Sequence, residues 1–535
     1  MCASGQPEAP IERSVVSSFI FKFDDGTPRV ALFRRSGKVN TYQHRLAPIS
    51  GSITENDATP LSAAWREIQE ETGLTTAQLS LLRQGKSYSF TDRSIGRKWT
   101  IYPFAFRLRT VEEGGTGEQG IRIDWEHEDW GWYDPMSVVD SETFGGVPHL
   151  AESLRRVWFE KDLNDIASKV LADGLERLQN DHQSGARQMA GVALQILRDV
   201  IATMDMSNPV DEWWIKVRFT AWHIWKNGRE SMGAAILSVL LSALTGIEEI
   251  MRRQVGRADF NDMTECRNSI LEHLQRQMES RADSAMLVSQ AFARYIQTAF
   301  ASRLQSKDPL SILTLSESST ISQSIHHLIL QSDIALDLRV LESRPLYEGV
   351  ALAGALAEKC RSSNTNAREP TSITIFSDAS AAIASQGVDA VVIGADRIAA
   401  SGAVSNKTGS LPAILSAKHV TAAAGRPAKI IVLSESEKVA PPGDPGDHIV
   451  EENDPKQLSR AWSVGHNTAR VRHAARVLSE GAERVHISFR NVSFEWCPSS
   501  LIDVYITEFG EWTLQDIARH SDRLGEEEKR LFESL

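Results

Sequence analysis

The sequence predicts a chain of mixed class in three parts: a compact α+β unit, a helical segment, and a doubly wound α/β domain. Three observations predict it. Strand-like runs broken by turn signals fill residues 14 to about 135, long helical periods fill about 150 to 305, and after Asp308-Pro309 short apolar runs alternate with alanine-rich helical stretches. At 535 residues the chain exceeds the size at which single cores stop growing, and 41% hydrophobic residues are enough to build more than one.

In the first part, "SVVSSFIFKF" and "RVALFRR" flank Asp24-Asp25-Gly26, a hairpin signal, and "WTIYPFAFRLR" supplies a further strand. The stretch "SAAWREIQEETGL", Ser62 to Leu74, is its one clear helix, and the loop Glu112 to Gly120 leads into "IRIDWEHEDWGWYD". In the second part, "VPHLAESLRRVWFEKDLNDIASKVLADGLERL" and "SRADSAMLVSQAFARYIQTAFASRL" carry helical periodicity. The apolar run Met232 to Leu244 is shorter than the roughly 20 residues of a membrane span and reads as a buried helix. The tryptophans of "DEWWIKVRFTAWHIWKNG" read as packing between helices. In the third part, "SILTLS", "ALDLRVLES", "SITIFSD", "DAVVIGAD" and "AKIIVLSES" are apolar strands separated by helices, the pattern of a parallel sheet covered on both faces. Val439 to His448 is a surface loop by its Pro and Gly content.

A formal charge of −12 argues against a general nucleic-acid or anionic-membrane surface, while leaving room for one local basic pocket. Cys2, Cys266, Cys360 and Cys497 show no CxxC spacing, so reduced thiols in a cytoplasmic protein are expected, and no secretory signal is visible. His326 and His327 lack a carboxylate or cysteine at ligand spacing and read as ordinary helix residues.

Two stretches carry chemistry. Glu67, Glu70 and Glu71 occupy helical positions i, i+3 and i+4, so three carboxylates share one face and repel. A hard divalent cation that prefers oxygen ligands offsets that repulsion. Arg66 adds a counter-charge, and Gly73 ends the helix. "REIQEETGL" matches the second half of the Nudix box, and this part of the chain resembles a Nudix sandwich. Gly51 and Asp57 stand one residue further from Arg66 than the family's glycine and glutamate, as though one residue had been inserted. The resemblance implies Mg²⁺- or Mn²⁺-dependent hydrolysis of a nucleoside diphosphate derivative. It makes Glu67, Glu70 and Glu71 the metal ligands or base, Arg66 their orienting partner, and Glu126 or Glu128 the further acid from a later loop, with Glu128 taken as the metal ligand.

The second stretch is "GVDAVVIGADRIAASGAVSNKTGSLPAILSAKH". An apolar strand, Ala390 to Ile393, delivers Asp396 and Arg397 to its C-terminal edge, where open α/β sheets bind ligands. Asn406 and Lys407 precede a helix beginning near Ser410, and a helix N-terminus beside a lysine is a phosphate-site pattern. GADRI, NK-x-G, "ESRPLYEG", "ILTLSES" and "CPSSLIDVYITEFG" resemble the family uniting methylthioribose-1-phosphate isomerase, ribose-1,5-bisphosphate isomerase and subunits of translation initiation factor 2B. That resemblance implies a Rossmann-like domain binding a phosphorylated pentose, with Asp396 catalytic and Arg344, Asn406 and Lys407 as phosphate and sugar contacts. Ser316 stands where the isomerases carry a cysteine, and Glu348 where they carry a glutamine. The family's Arg-Gly-Ala appears as Met232-Gly233-Ala234, which keeps Gly233 as a substrate contact and lacks the arginine.

The expected organisation is a Nudix domain over 14–160, a helical linker with an N-terminal helical subdomain over 161–310 and a Rossmann-like domain over 311–535. Its expected function is hydrolysis joined to pentose-phosphate binding, in a homodimer formed through the last domain. The alternative is a regulatory subunit, or one resembling translation initiation factor 2B, that senses a sugar phosphate or nucleotide without chemistry.

Overall fold

The computed structural model describes residues 10–182, 184–206, 209–255, 263–306, 308–331, 334–362, 371–448, 451–463, 468–480 and 487–535; Cys2 lies outside them. By contacts the chain forms two units, Met1–Asn180 with Ile196–Gly228 and Leu535, and Asp181–Gln195 with Arg229–Ser534. The segment expected to hold a helical linker and a helical subdomain is shared between them: Asp165–Asn180 and Val210–Asn227 lie in the first unit, Gly233–Val255 and Met263–Ala299 in the second.

The first unit is built on strands β1 (Ile11–Asp24), β2 (Thr27–Arg35), β3 (Leu46–Ala47), β4 (Leu79–Gln84), β5 (Tyr88–Asp92), β6 (Arg97–Leu108) and β7 (His127–Tyr133). Their order is β3-β2-β1-β6-β4, with β5 paired to β6 and β7 to β2. The β1–β2 hairpin closes on Asp25 and Gly26, whose φ of 50° and 82° give the doubly left-handed turn that matches strand twist. Alternation along β1 sends Val16 and Ile20 to the face covered by helix α1 (Pro60–Thr72), and Phe19 and Phe21 to the face covered by Leu150–Val157. Helix α1 starts on a reciprocal Thr59–Ser62 capping box with Pro60 at its first position, and ends on Gly73 at φ 70°. β4 ends the strand order, and there the Asn227 side chain accepts from Gln84 N (2.8 Å) and donates to Gln84 O (3.0 Å). Trp213 and Trp222 of the same helix are buried, as packing residues should be.

The second unit holds β8 (Leu310–Leu315), β9 (Leu336–Leu341), β10 (Thr371–Phe376), β11 (Ala390–Ile393), β12 (Arg397–Ile398), β13 (Val404–Lys407), β14 (Lys429–Leu433), β15 (Phe494–Cys497), β16 (Val504–Thr507) and β17 (Gly510–Trp512). The main sheet runs β10-β9-β8-β11-β14-β16-β17, parallel except for β17. Strand order therefore reverses between β8 and β11. One face packs against Met263–Ala299 and Ser319–Gln331, the other against Ser410–Ala423, which is why β8 and β11 are buried along their whole length. A small antiparallel sheet, β12-β13-β15, stands beside the main one. Gly233–Val255 carries the long apolar run, and its Ile236, Leu240 and Leu244 are fully buried, the packing of a core helix.

Candidate functional site

Each unit has one prominent cavity. In the first, Arg66 is the centre of a fan of hydrogen bonds. It donates to Asp57 through Nε (3.0 Å) and Nη2 (2.9 Å), to the Ser52 carbonyl (3.1 Å), and through Nη1 to Glu67 (2.6 Å) and Glu70 (3.2 Å). Asp57 also accepts from Thr54 N and Oγ1, and Arg66 holds its carboxyl well below the usual range. A Cβ at Gly51 would lie 1.9 Å from the Glu67 carboxyl carbon, so a side chain there would displace the Glu67 carboxylate.

Glu71 lies deeper in the protein. It is 4% exposed, and its Oε2 lies 3.3 Å from His127 Nε2, while Asp124 Oδ1 lies 3.5 Å from His127 Nδ1. Burial raises the Glu71 carboxyl well above its ordinary value, and repulsion from Glu126, Glu67 and Asp124 raises it further. Burial likewise raises Glu67 and Glu126, and Arg35 counters at Glu71 and Glu126. Glu70 sits at the solvent edge.

Of the two later acids, the fold brings Glu126 to this group. Glu128 is placed elsewhere: its Oε1 accepts from Gly37 N (3.2 Å) and pairs with His44 Nδ1 (2.8 Å), so it braces the loop after β2. The expectation that Glu128 would be a metal ligand is thereby corrected; neighbours on a strand point to opposite faces in alternation, but Glu126 precedes β7 and is turned inward with the 124–127 bend. Among the described residues no group of three or more His, Cys, Asp or Glu side chains is arranged to hold a metal ion. The donors are nonetheless all oxygen, mutually repelling and held at raised pKa, which suits a hard cation sharing its shell with substrate and water.

The adjoining cavity, about 370 Å³, is lined by Glu67 and Glu126, by Arg35, Lys38 and Arg97, and by Tyr88, Phe90, Trp99 and Trp125. Phe90 pairs with Trp99 and Tyr88 with Ile101 across β5–β6, giving one apolar wall. The basic and aromatic lining was absent from the sequence reading; Tyr88 and Phe90 alternating on one strand was the available signal.

In the second unit a cavity of about 850 Å³ opens where strand order reverses, lined by the loop after β8 (Ser316–Ser319) and the end of β11 (Gly394–Asp396). Ser316, Asp396, Asn406 and Lys407 all reach it. Ser316 is buried, with φ 65°, and its N–H donates to Ser343 Oγ (2.8 Å). Asp396 lies deep in the protein with surface facing the cavity; burial raises its pKa against the pull of Lys438, Lys407 and Arg229. Asn406 donates to Ser410 Oγ (2.8 Å), and Lys407 Nζ lies 3.1 Å from Glu348 Oε1 and 4.9 Å from the Phe494 ring centre.

Three expectations are corrected here. Arg344 does not line the cavity; it bonds Glu342 (2.9 Å) and lies over Tyr347, because the 342–349 turn directs Glu348 inward instead. Gly233 is likewise outside the lining, which takes Met232. The N-terminus of Ser410–Ala423 is already occupied: Glu495 Oε1 accepts from Gly409 N (2.6 Å) and Leu411 N (3.0 Å).

The cations that do face the cavity are Arg187, Arg229, Arg281 and Lys438, with Lys359 and Lys407. Arg229 binds Glu451 through two nitrogens (3.1 and 2.8 Å), Arg281 binds Glu437 (2.8 Å), and Lys438 binds Glu435 (3.2 Å), and none of these three carboxylates lines the cavity. Arg229 lies three residues before Met232, the position where an arginine had been expected.

Residues 13–157 match the NUDIX domain and 182–514 the Initiation factor 2 subunit family. The chain belongs to the Initiation factor 2 subunit family. This family member also carries a Nudix domain ahead of the family region. Methylthioribose-1-phosphate isomerase of Zea mays is 33% identical over 185 residues, 32% of this chain and 45% of the relative. Ribose 1,5-bisphosphate isomerase of Archaeoglobus fulgidus is 24% identical over 248 residues, 45% of this chain and 68% of the relative. The chain thus spans about half the length of the maize relative. Among solved structures, 5-methylthioribose 1-phosphate isomerase of Pyrococcus horikoshii OT3 aligns at 18% identity with a TM-score of 0.43, covering 68% of this chain and 88% of that one.

Proposed function

We propose that the first unit is a Nudix sandwich acting as a Mg²⁺- or Mn²⁺-dependent hydrolase of a nucleoside diphosphate derivative, and that the second, Rossmann-like, binds a phosphorylated pentose. The observation that carries the first part is the meeting of Glu67, Glu71 and Glu126, all with raised pKa, beside a cavity with basic and aromatic walls. A bound metal would polarise the diphosphate and the attacking water. Glu67 and Glu71 would hold the ion, Glu70 stands at the solvent edge, and Arg66 fixes Glu67. Arg35, Lys38 and Arg97 take phosphate oxygens, while the Tyr88–Phe90–Trp99 wall receives a planar ring. Glu126, its pKa moved toward the operating pH, accepts the proton of the water.

For the second unit the support is Asp396, Asn406 and Lys407 in one cavity with five further lysines and arginines. Ser316 offers no thiol, so we propose binding there and no thiol-dependent isomerisation. A homodimer through this unit and a cytoplasmic location complete the proposal.

The test incubates the whole chain and Mg²⁺ with ADP-ribose, dinucleoside polyphosphates, nucleotide sugars and coenzyme A, reading products by chromatography with mass detection. Cleavage of one member, lost in Glu67→Gln, is the expected result. No cleavage by a folded protein overturns the hydrolase.

A further inference from the structure

The inference rests on the proposed pentose-phosphate reading of the second cavity and concerns which such ligands it admits. Glu348, Leu352, Ala355 and Lys359 all line that cavity from one helix, Glu348–Ser362. Their spacing of four, three and four residues keeps them on one face, with about 16 Å of helix axis between the acid and the lysine. The wall therefore runs from a negative end to a positive one.

At the negative end Glu348 engages Lys407, the cation of β13, at 3.1 Å, and both side chains are mostly buried. Its backbone is fixed by the turn before it. Asp378 accepts from Ser343 N and Arg344 N, both 2.8 Å, Ser343 and Tyr347 stand at φ 61° and 58°, and a Cβ on Gly349 would lie 1.8 Å from the Leu341 carbonyl oxygen. The chain can pass there only as glycine, and Glu348 is delivered into the cavity.

The charge of Lys407 is thereby spent on a carboxylate that shares the cavity. Arg229, Arg281 and Lys438 differ: each lines the cavity while the carboxylate paired with it does not, so that part of the lining keeps its positive charge without an acid of those pairs beside it. A phosphate fits among those cations. At the Lys407 end it would meet the Glu348 carboxylate, with Asp396 also close enough to interact with Lys407 and Glu348, and like charges brought together in a half-buried site are strongly disfavoured. A hydroxyl, which both donates and accepts, suits Glu348, Asn406 and Asp396.

We propose that Glu348 makes this cavity selective for a sugar carrying one phosphate, by neutralising Lys407 and excluding a second phosphate from the end where Lys407, Asn406 and Asp396 stand. The maize and archaeal relatives are named for substrates that differ in this feature, one phosphate against two.

Calorimetric titration of the whole chain with ribose 5-phosphate and with ribose 1,5-bisphosphate tests it. The parent protein is expected to bind the monophosphate about tenfold more tightly or better. Glu348→Gln, which keeps shape and removes charge, is expected to raise the affinity for the bisphosphate relative to the monophosphate about tenfold; adding Lys407→Gln should cancel the gain. Equal affinities in the parent overturn the inference without use of any variant and leave the cavity's reading intact, as does an unchanged ratio in folded Glu348→Gln. Binding of neither sugar by the parent overturns the reading of the cavity and the inference with it.

Discussion

The two cavities treat charge in opposite ways. In the first, acids of the same sign are pressed together: Glu67, Glu71 and Glu126 repel one another and are partly desolvated, with Arg66 and Arg35 as the nearest counter-charges. In the second, cations line the space and most have a carboxylate behind them, so Glu435 is drawn down to about 2 by Lys438, Thr320 and Arg187 despite its burial. Carboxylates crowd the first site and cations line the second, and on that contrast rest the proposed metal site and the proposed anion site.

The largest effect should come from breaking the acidic group. Glu67→Gln, Glu71→Gln and Glu126→Gln are each expected to lower turnover by roughly 10²–10³-fold, whereas Glu128→Gln should raise KM by about threefold with little change in kcat, since it only braces the cavity loop; steady-state kinetics separates the two behaviours. Next, Arg187→Met is expected to weaken ribose 5-phosphate binding by about tenfold and leave hydrolysis unchanged, a loss typical of one charge-assisted contact, read by calorimetry and product assay on the same preparation.

A smaller effect concerns pH. Glu67, Glu71 and Glu126 bind protons more tightly folded than unfolded, so their contribution to stability is full below the ordinary glutamate value and declines as pH rises through their raised values. Glu437, raised to about 7 by burial against the pull of Arg281, acts in the same sense between about 4.5 and 7. Glu435 acts oppositely, losing its contribution only as pH falls toward about 2. Mg²⁺ should therefore raise the unfolding midpoint of the first unit more at pH 8 than at pH 5.5, with about 2.7 kcal/mol available at a hundredfold excess over Kd; differential scanning calorimetry at both values checks this. The smallest expected change is from Ser316→Cys, with ribose 5-phosphate affinity within about twofold, because the substitution preserves shape and the N–H to Ser343 is a backbone bond.

Much of this was legible in the sequence for physical reasons. Helical spacing brought Arg66, Glu67 and Glu70 together, and continuous apolar runs announced β8 and β11 as buried strands. Side-chain direction was harder to read. Glu126 and Glu128 are two residues apart and only the bend at 124–127 decides which faces the cavity, while Arg344 and Glu348 share one turn whose left-handed residues turn the second inward. Arg187, Arg229 and Arg281 come from separate helical segments, and contacts at long sequence separation leave no local pattern.

The pairing of Asn227 with Gln84 bears on how the chain may be divided. The amide supplies one acceptor and one donor to the last strand of the sheet, as a neighbouring strand would. A fragment ending at residue 157, where the NUDIX match ends, would lose that cover and present an unpaired rim to its own copies. It should self-associate with time and concentration, and a fragment extended through Gly228 should not, a contrast that light scattering reads directly.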